Sequence, residues 1–239
     1  MENKVSYNSL VWSIILGISL IVTGIIFSNA FIKSRMGERV VNVKGLAERE
    51  VDADVVIWPL TFIETGNDLA ALQKSIDAKR EIVTSFLVQA GFKLSEIAQS
   101  APKIRDNQAQ EYGTKSESKY RFIAQTTVIL NSENVQLVKS TMEKAGSLVS
   151  RGVAIASDWQ SRTEFLFKGL NKIKPEMIEE ATKNARNAAE KFAHDSGSKL
   201  GKIKSATQGL FTITDRDMNS PDKKNVRVVT VVEYYLADD

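Results

Sequence analysis

Residues 91–97, Gly91-Phe-Lys-Leu-Ser-Glu-Ile97, recur as Gly197-Ser-Lys-Leu-Gly-Lys-Ile203, a shared G-x-K-L-x-x-I at an offset of 106 residues. At the same offset Arg121 falls on Arg227 and Leu130 on Leu236. Each copy follows an amphipathic stretch and leads into β-branched residues, so its Gly reads as a helix stop and its Leu and Ile as the entry to a strand. The order strand–helix–strand–strand recurs around both copies. Any helix that ends in Gly and feeds a strand looks similar, but three agreements at one offset favour duplication. The spacing predicts an α+β fold of two βαββ halves, about residues 51–131 and 153–236, joined by a middle helix, with helices packed on antiparallel sheet.

The periodicities around these copies support that order. Leu69, Leu72, Ile76, Val83, Phe86, Leu87 and Ala90 recur at helical steps between a capping pair, Asn67-Asp68, and Gly91. Val135, Val138, Met142, Ala145 and Val149 share a second helical face, with Ser132 as its cap. In a third helix Pro175 suits the first turn, Ile178, Ala181, Ala185, Ala188, Ala189 and Phe192 form the seam, and Gly197 ends it. Its alanines allow close packing on a sheet. Strands are expected near 40–47, 51–65, 95–105, 120–131, 153–168, 202–215 and 226–236. In the second of these, Val55, Ile57, Thr61 and Ile63 face one way and Val56, Trp58, Leu60 and Phe62 the other, so both faces are expected to be covered. Pro59 lacks an N–H, which places that strand at an edge or a bulge. Polar stretches at 106–119 and 215–225 read as hairpin loops.

Before all of this lies Leu-Val-Trp-Ser-Ile-Ile-Leu-Gly-Ile-Ser-Leu-Ile-Val-Thr-Gly-Ile-Ile-Phe, Leu10 to Phe27, inside an uncharged run from Val5 to Ile32. As a helix these residues span about 27 Å, close to the hydrocarbon thickness of a bilayer. The expected division is a membrane anchor with flanks at 1–36 and a soluble domain at 37–239, with Leu10 and Phe27 as the span ends and the lipid bilayer as partner. Tyr7 and Trp12 sit where interfacial aromatics lie. Ser28-Asn29-Ala30 has small residues at the offsets of a signal cleavage site, but the apolar run exceeds a typical signal core, which favours an uncleaved anchor. Flanking charge, Lys4 with Glu2 on one side and Lys33, Arg35 and Arg39 with Glu38 on the other, naively keeps the domain inside, although long domains translocate despite such charge. Ser13, Gly17 and Gly24 reflect the ordinary frequency of small residues in membrane helices rather than a packing motif.

Composition narrows the chemistry. The 239 residues carry a net charge of +3 spread along the chain, without the clustered Lys/Arg of a nucleic-acid surface. There are no cysteines and one histidine, His194, so disulfides, thiolate metal sites, the usual zinc sets and a Ser-His-Asp triad are excluded within one chain. His194, near a helix end beside Asp195, reads as a surface residue. Gly197-x-x-x-Gly201 follows a helix and precedes a strand, the wrong order for a phosphate cradle. Asp52 and Asp54, two apart, would share a face of one strand; solvated residues at a strand start are favoured over a cation or acid/base pair. Glu179-Glu180 and Asp215-Arg216-Asp217 read as an exposed helix face and a loop, and Trp58 and Trp159 as core or interface residues. No catalytic residue, cofactor or metal site is expected.

Val43-Lys-Gly45-Leu-Ala47 followed by Val51-Asp-Ala-Asp54 resembles the opening of the SIMPL-domain family, a Val-x-Gly-x-Gly/Ala strand and a Val-x-Pro-Asp turn, with Ala53 in place of the usual Pro. Ala181, Ala185, Ala189, Ala193, Gly197, Leu200 and Gly201 resemble the family's Ala-rich helix and G-x-x-L-G close. The resemblance covers about residues 39–237. It implies a periplasmic or membrane-associated bacterial protein without established catalytic residues; some members are described as oxidative-stress-defence or immunogenic proteins, and some form ring-like homo-oligomers. It also implies that the soluble domain lies outside the cytoplasmic membrane, attached by its anchor or free after cleavage. The expected function is that of a non-enzymatic, self-assembling envelope protein with a role in envelope or stress physiology. The alternative is a module that binds a small molecule or peptide between its halves.

Overall fold

The structure, a computed structural model, describes residues 7–35, 39–109, 119–156 and 161–237. It is a mixed α+β fold with antiparallel sheets and five α-helices. The first, α1 (Tyr7–Arg35), contains the window Val11–Ser28, long and apolar enough to cross a membrane and not buried by protein. The expected span ends Leu10 and Phe27 both lie within α1.

The other elements are β1 (Val40–Asp52), β2 (Val55–Gly66), α2 (Leu69–Gln89), a 3-10 turn at Leu94–Glu96, β3 (Ile97–Gln99), β4 (Lys103–Asp106) and β5 (Phe122–Ser132). They continue as α3 (Val135–Glu143), α4 (Ser147–Ser150), β6 (Ile155–Ala156), β7 (Glu164–Leu166), α5 (Leu170–Asp195), β8 (Lys199–Gln208), β9 (Thr212–Asp215) and β10 (Lys223–Ala237). Two compact units result, one of residues 1–45, 182–207 and 230–239, the other of 46–181 and 208–229.

In the larger unit β2 is central. It pairs with β5 from Val56 to Gly66, and on its other side with β7 at Val55–Ile57 and β6 at Thr61–Phe62. Pro59 is therefore not at a sheet edge. It falls between the two short partners, where among the described residues no strand asks for its missing N–H. Val56, Trp58, Leu60 and Phe62 face a core completed by Val83, Phe86 and Leu87 of α2 and Val128 and Leu130 of β5. Burying each such side chain stabilises the fold by about 1.5–3 kcal/mol. The opposite face is only partly covered, since Ile63 is 49% exposed.

Helix α2 starts and stops as expected. The Asp68 carboxylate accepts from the Ala71 N–H, and Gly91 adopts φ +108° beyond the last turn. Helix α5 closes the same way: the Ser198 N–H donates to the Ala193 carbonyl just as the Phe92 N–H donates to that of Leu87, the same offset of 106 residues that separates Gly91 from Gly197. Other boundaries moved. Asn134, not Ser132, caps α3, because the Ser132 hydroxyl is engaged with Glu96. The middle helix breaks in two, burying Leu148 and leaving Val149 exposed. The strand expected over 95–105 breaks at Ser100-Ala101-Pro102, and that over 202–215 breaks at Gly209, where an added Cβ would lie 2.6 Å from the Val229 carbonyl oxygen.

A second, four-stranded sheet has the order β1-β10-β8, with β9 also on β10. Each half has its helix followed by two strand pieces that flank a long strand: β3 and β4 on β5, β8 and β9 on β10. The segment 153–168, expected to open the second half, instead supplies β6 and β7 to β2, and β1 stands beside β10 in its place.

Helix α5 begins at Leu170, so Pro175 lies inside it rather than in its first turn. Its buried seam is Met177, Ala181, Ala185, Ala189 and Ala193: the expected Ala181, Ala185 and Ala189 lie on it, whereas Ile178 and Ala188 are only partly buried and Phe192 is 61% exposed. From Ala181 onward, steps of four bring only alanines beneath the helix, so its axis can approach the strands closely there. In the smaller unit Ala185 and Ala189 pack on Val43, Val232 and Tyr234. An Ala185→Leu substitution should therefore cost about 1–3 kcal/mol by overpacking, whereas Phe192→Ser should stay within about 0.5 kcal/mol. Urea midpoints of the two variants check the register of the seam.

Candidate functional site

Asp52 and Asp54 do not share a strand. β1 ends at Asp52 and β2 begins at Val55, so the two carboxylates leave the intervening turn in different directions. Asp52 pairs with Lys223 and continues a stripe on alternate β1 residues in which Glu50 meets Arg216 at 3.0 Å and Glu48 meets Arg227 at 3.5 Å. Asp54 holds backbone instead. Its two oxygens accept the Lys168 and Gly169 N–H groups, each at 2.7 Å, just ahead of α5. The turn is also bonded through the Asp54 N–H to the Leu166 carbonyl and the Ala53 N–H to the Asp222 carbonyl. Both Asp54 oxygens are thus occupied by structural donors, and a carboxylate at the start of a helix is further favoured by the helix dipole.

The remaining sequence candidates are dispersed. His194 is solvent-exposed, 3.4 Å from Asp195. Glu179 and Glu180 are exposed on α5. Asp217 with Arg216 ties the loop between β9 and β10, its carboxylate held below the usual range by the Arg216 guanidinium. Trp58 is in the core, and Trp159 lies outside the described residues, as do residues 110–118 of the expected 106–119 loop.

Periodicity did not reveal Arg80, on the polar side of α2, whose guanidinium reaches under the sheet to the Thr126 hydroxyl at 3.0 Å and to the Ser100 carbonyl. Nor did it reveal Glu96. Its carboxylate accepts from the Ser132 hydroxyl at 2.6 Å and the Lys93 N–H at 2.8 Å, beside a cleft of about 570 Å³ lined also by Asn134, Leu137 and Lys168. These hydrogen bonds, Ser132 first, hold the Glu96 carboxyl below its ordinary range.

The most accessible feature is an edge. β8 pairs with β10 on one side and, among the described residues, with nothing on the other. Eight of its ten residues are exposed, on both faces. Lys199, Lys202 and Lys204 charge its first six residues, while its last four, Ser205-Ala206-Thr207-Gln208, are uncharged. The other sheet's outer strands are broken or short: β3 and β4 are separated by Pro102, and β6 and β7 have two and three residues. Such shortening blunts edges, as do lysines, but neither device protects these last four residues of β8.

These contacts give two expectations. Asp54→Ala should cost about 1.5–3 kcal/mol, the value of hydrogen bonds to a charged acceptor, with Asp54→Asn intermediate and Asp52→Asn almost neutral in moderate salt; denaturant midpoints rank the three. Because the folded-state pKa of Glu96 is depressed, its contribution is fully present above the ordinary carboxylate range and is lost as pH falls through the lowered folded value. The stability gap between wild type and Ser132→Ala should accordingly be larger at neutral pH than in acid, as paired urea titrations would show.

No curated protein matches the chain in a sequence comparison. A family model does, over residues 41–232, from β1 through the clamped turn and the Ala-seamed helix to β10; the chain belongs to the SIMPL family, described as a protein of unknown function (DUF541).

Proposed function

We propose that this is a non-enzymatic, membrane-anchored envelope protein whose soluble domain self-assembles through the open edge of β8. The observation that carries this reading is a ten-residue strand, exposed at eight positions and, among the described residues, paired on one side only. An unpaired strand edge offers a row of N–H and C=O groups to another chain, and the four uncharged residues Ser205–Gln208 can meet a copy of themselves without opposing lysines. The candidate carboxylates support a structural reading, since Asp54 binds backbone and Asp52 binds Lys223. The apolar α1 supports attachment to a bilayer, with the domain on the periplasmic side of a bacterial inner membrane by resemblance to the family; the free periplasmic protein left by cleavage after Ala30 is the other arrangement.

Mass measurement on the detergent-solubilised full chain tests the assembly. We expect an oligomer that Ala206→Lys with Gln208→Lys reduces toward monomer while circular dichroism is unchanged. A clean monomer across working concentrations overturns the reading. A C-terminal reporter active on only one face of the membrane, with the mass of the mature chain, reports the side and the state of the anchor.

A further inference from the structure

The outer face of the six-stranded sheet holds a small cleft that nothing above has used. It has a volume of about 150 Å³ and is lined by Thr61, Ser100, Ala101, Lys103, Gln125, Thr127 and Ser161. Thr61 and Thr127 face each other across β2 and β5, and Thr61 is 2% exposed. Lys103 is opposite Gln125 on β4, beside the break that lifts Ser100 and Ala101 out of the strand.

The hydrogen-bond inventory of this cleft is unbalanced. The Thr61 and Thr127 hydroxyls are 2.8 Å apart, so one donates to the other and the second keeps an O–H to give elsewhere. Ser100 is fully used: its hydroxyl donates to the Thr127 carbonyl and accepts the Thr127 N–H, both at 3.1 Å. Ser161 Oγ is buried and, among the described residues, without a partner. A buried hydroxyl of this kind is costly unless something enters to satisfy it. The lining contains one cation and no carboxylate. Arg105, two residues along β4 on the same face as Lys103, adds positive potential, and neither cation pairs with a carboxylate among the described residues.

We propose that this cleft binds one small tetrahedral oxyanion of the phosphate or sulfate class. The donors converging on it are the Lys103 ammonium, the Ser161 hydroxyl and the spare hydroxyl of the Thr61–Thr127 pair, with the Gln125 amide beside them. An ammonium donating to an anionic oxygen makes a charge-assisted bond, about twice as strong as a neutral one. The cleft has room for such a group, and a phosphoryl group on a lipid headgroup offers the same oxygens. This site is independent of the β8 edge, so either proposal can fail alone.

The test is calorimetric titration of inorganic phosphate, and of sulfate, into the full chain in a phosphate-free maltoside detergent, with thermal melts in parallel. One saturable site and a rising Tm are expected. Lys103→Gln should weaken binding by about tenfold, Ser161→Ala should weaken it less, and Lys144→Gln should leave it unchanged, all three keeping the wild-type circular dichroism. Repeating the titration in phosphatidylcholine nanodiscs with and without phosphatidic acid separates the sources: weaker phosphate binding in the presence of phosphatidic acid identifies a headgroup, and unchanged binding identifies the free ion. No saturable binding across the millimolar range overturns the proposal, leaving a cleft that holds water, and so does binding that survives both Lys103→Gln and Ser161→Ala.

Discussion

The carboxylate of Asp54 is the interaction on which the larger unit depends. It sits in the two-residue turn between β1 and β2 and accepts the N–H groups of Lys168 and Gly169, residues more than a hundred positions away. Those residues link β7, the partner of β2, to the first turn of α5. The same turn bonds to Leu166 and Asp222, and the Asp222 carboxylate is in turn bonded by Lys139 of α3 at 2.7 Å. Two separate chain segments are thus bonded directly to one short turn, and a third reaches it through Asp222. The geometry also constrains a neighbour, because a Cβ at Gly169 would lie 3.0 Å from Asp54 Oδ2. An acidic residue that looks like half of a catalytic pair is, in the fold, a clamp.

Around that turn two kinds of packing do different work. The six-stranded sheet is stabilised by volume: Trp58, Leu60, Phe62, Phe86 and Leu87 are large and buried. Beyond Met177 the seam of α5 contains little volume and relies on proximity, with alanines at every fourth residue from Ala181 to Ala193 letting the helix approach its strands. Close packing of small residues tolerates enlargement poorly, since the strands beneath are held by their own ladder. The acid stripe of Glu48, Glu50 and Asp52 against Arg227, Arg216 and Lys223 adds cross-strand registration at the surface rather than much stability.

Both proposals rest on what the ladders leave open. Proline and brevity close the edges of the six-stranded sheet, while β8 stays available. The hydroxyl-lined cleft arises from the break between β3 and β4, which sets Ser100 against Thr127 and leaves room beside Lys103. Neither feature is a sequence motif. Each is a consequence of where a strand stops.

The sequence by itself determined the local structure. It placed the apolar helix around Leu10–Phe27, the Asp68 cap, the left-handed glycines at 91 and 197, and the buried face of β2, because each depends on residues within one or two turns of each other. It placed Ala181, Ala185 and Ala189 on the seam of α5 but ended that seam at Ile178 and Phe192 rather than Met177 and Ala193, since Ile178 and Phe192 are apolar enough to suit a neighbouring face equally well. Tertiary structure decided the rest. Alternation along a strand shows that one face is buried but not which strand lies beside it, so the transfer of β6 and β7 to β2, and the place of β1 beside β10, could not be read. For the same reason Asp54 was legible only as an acid: its donors come from a remote segment, and only the folded chain brings them within 2.7 Å.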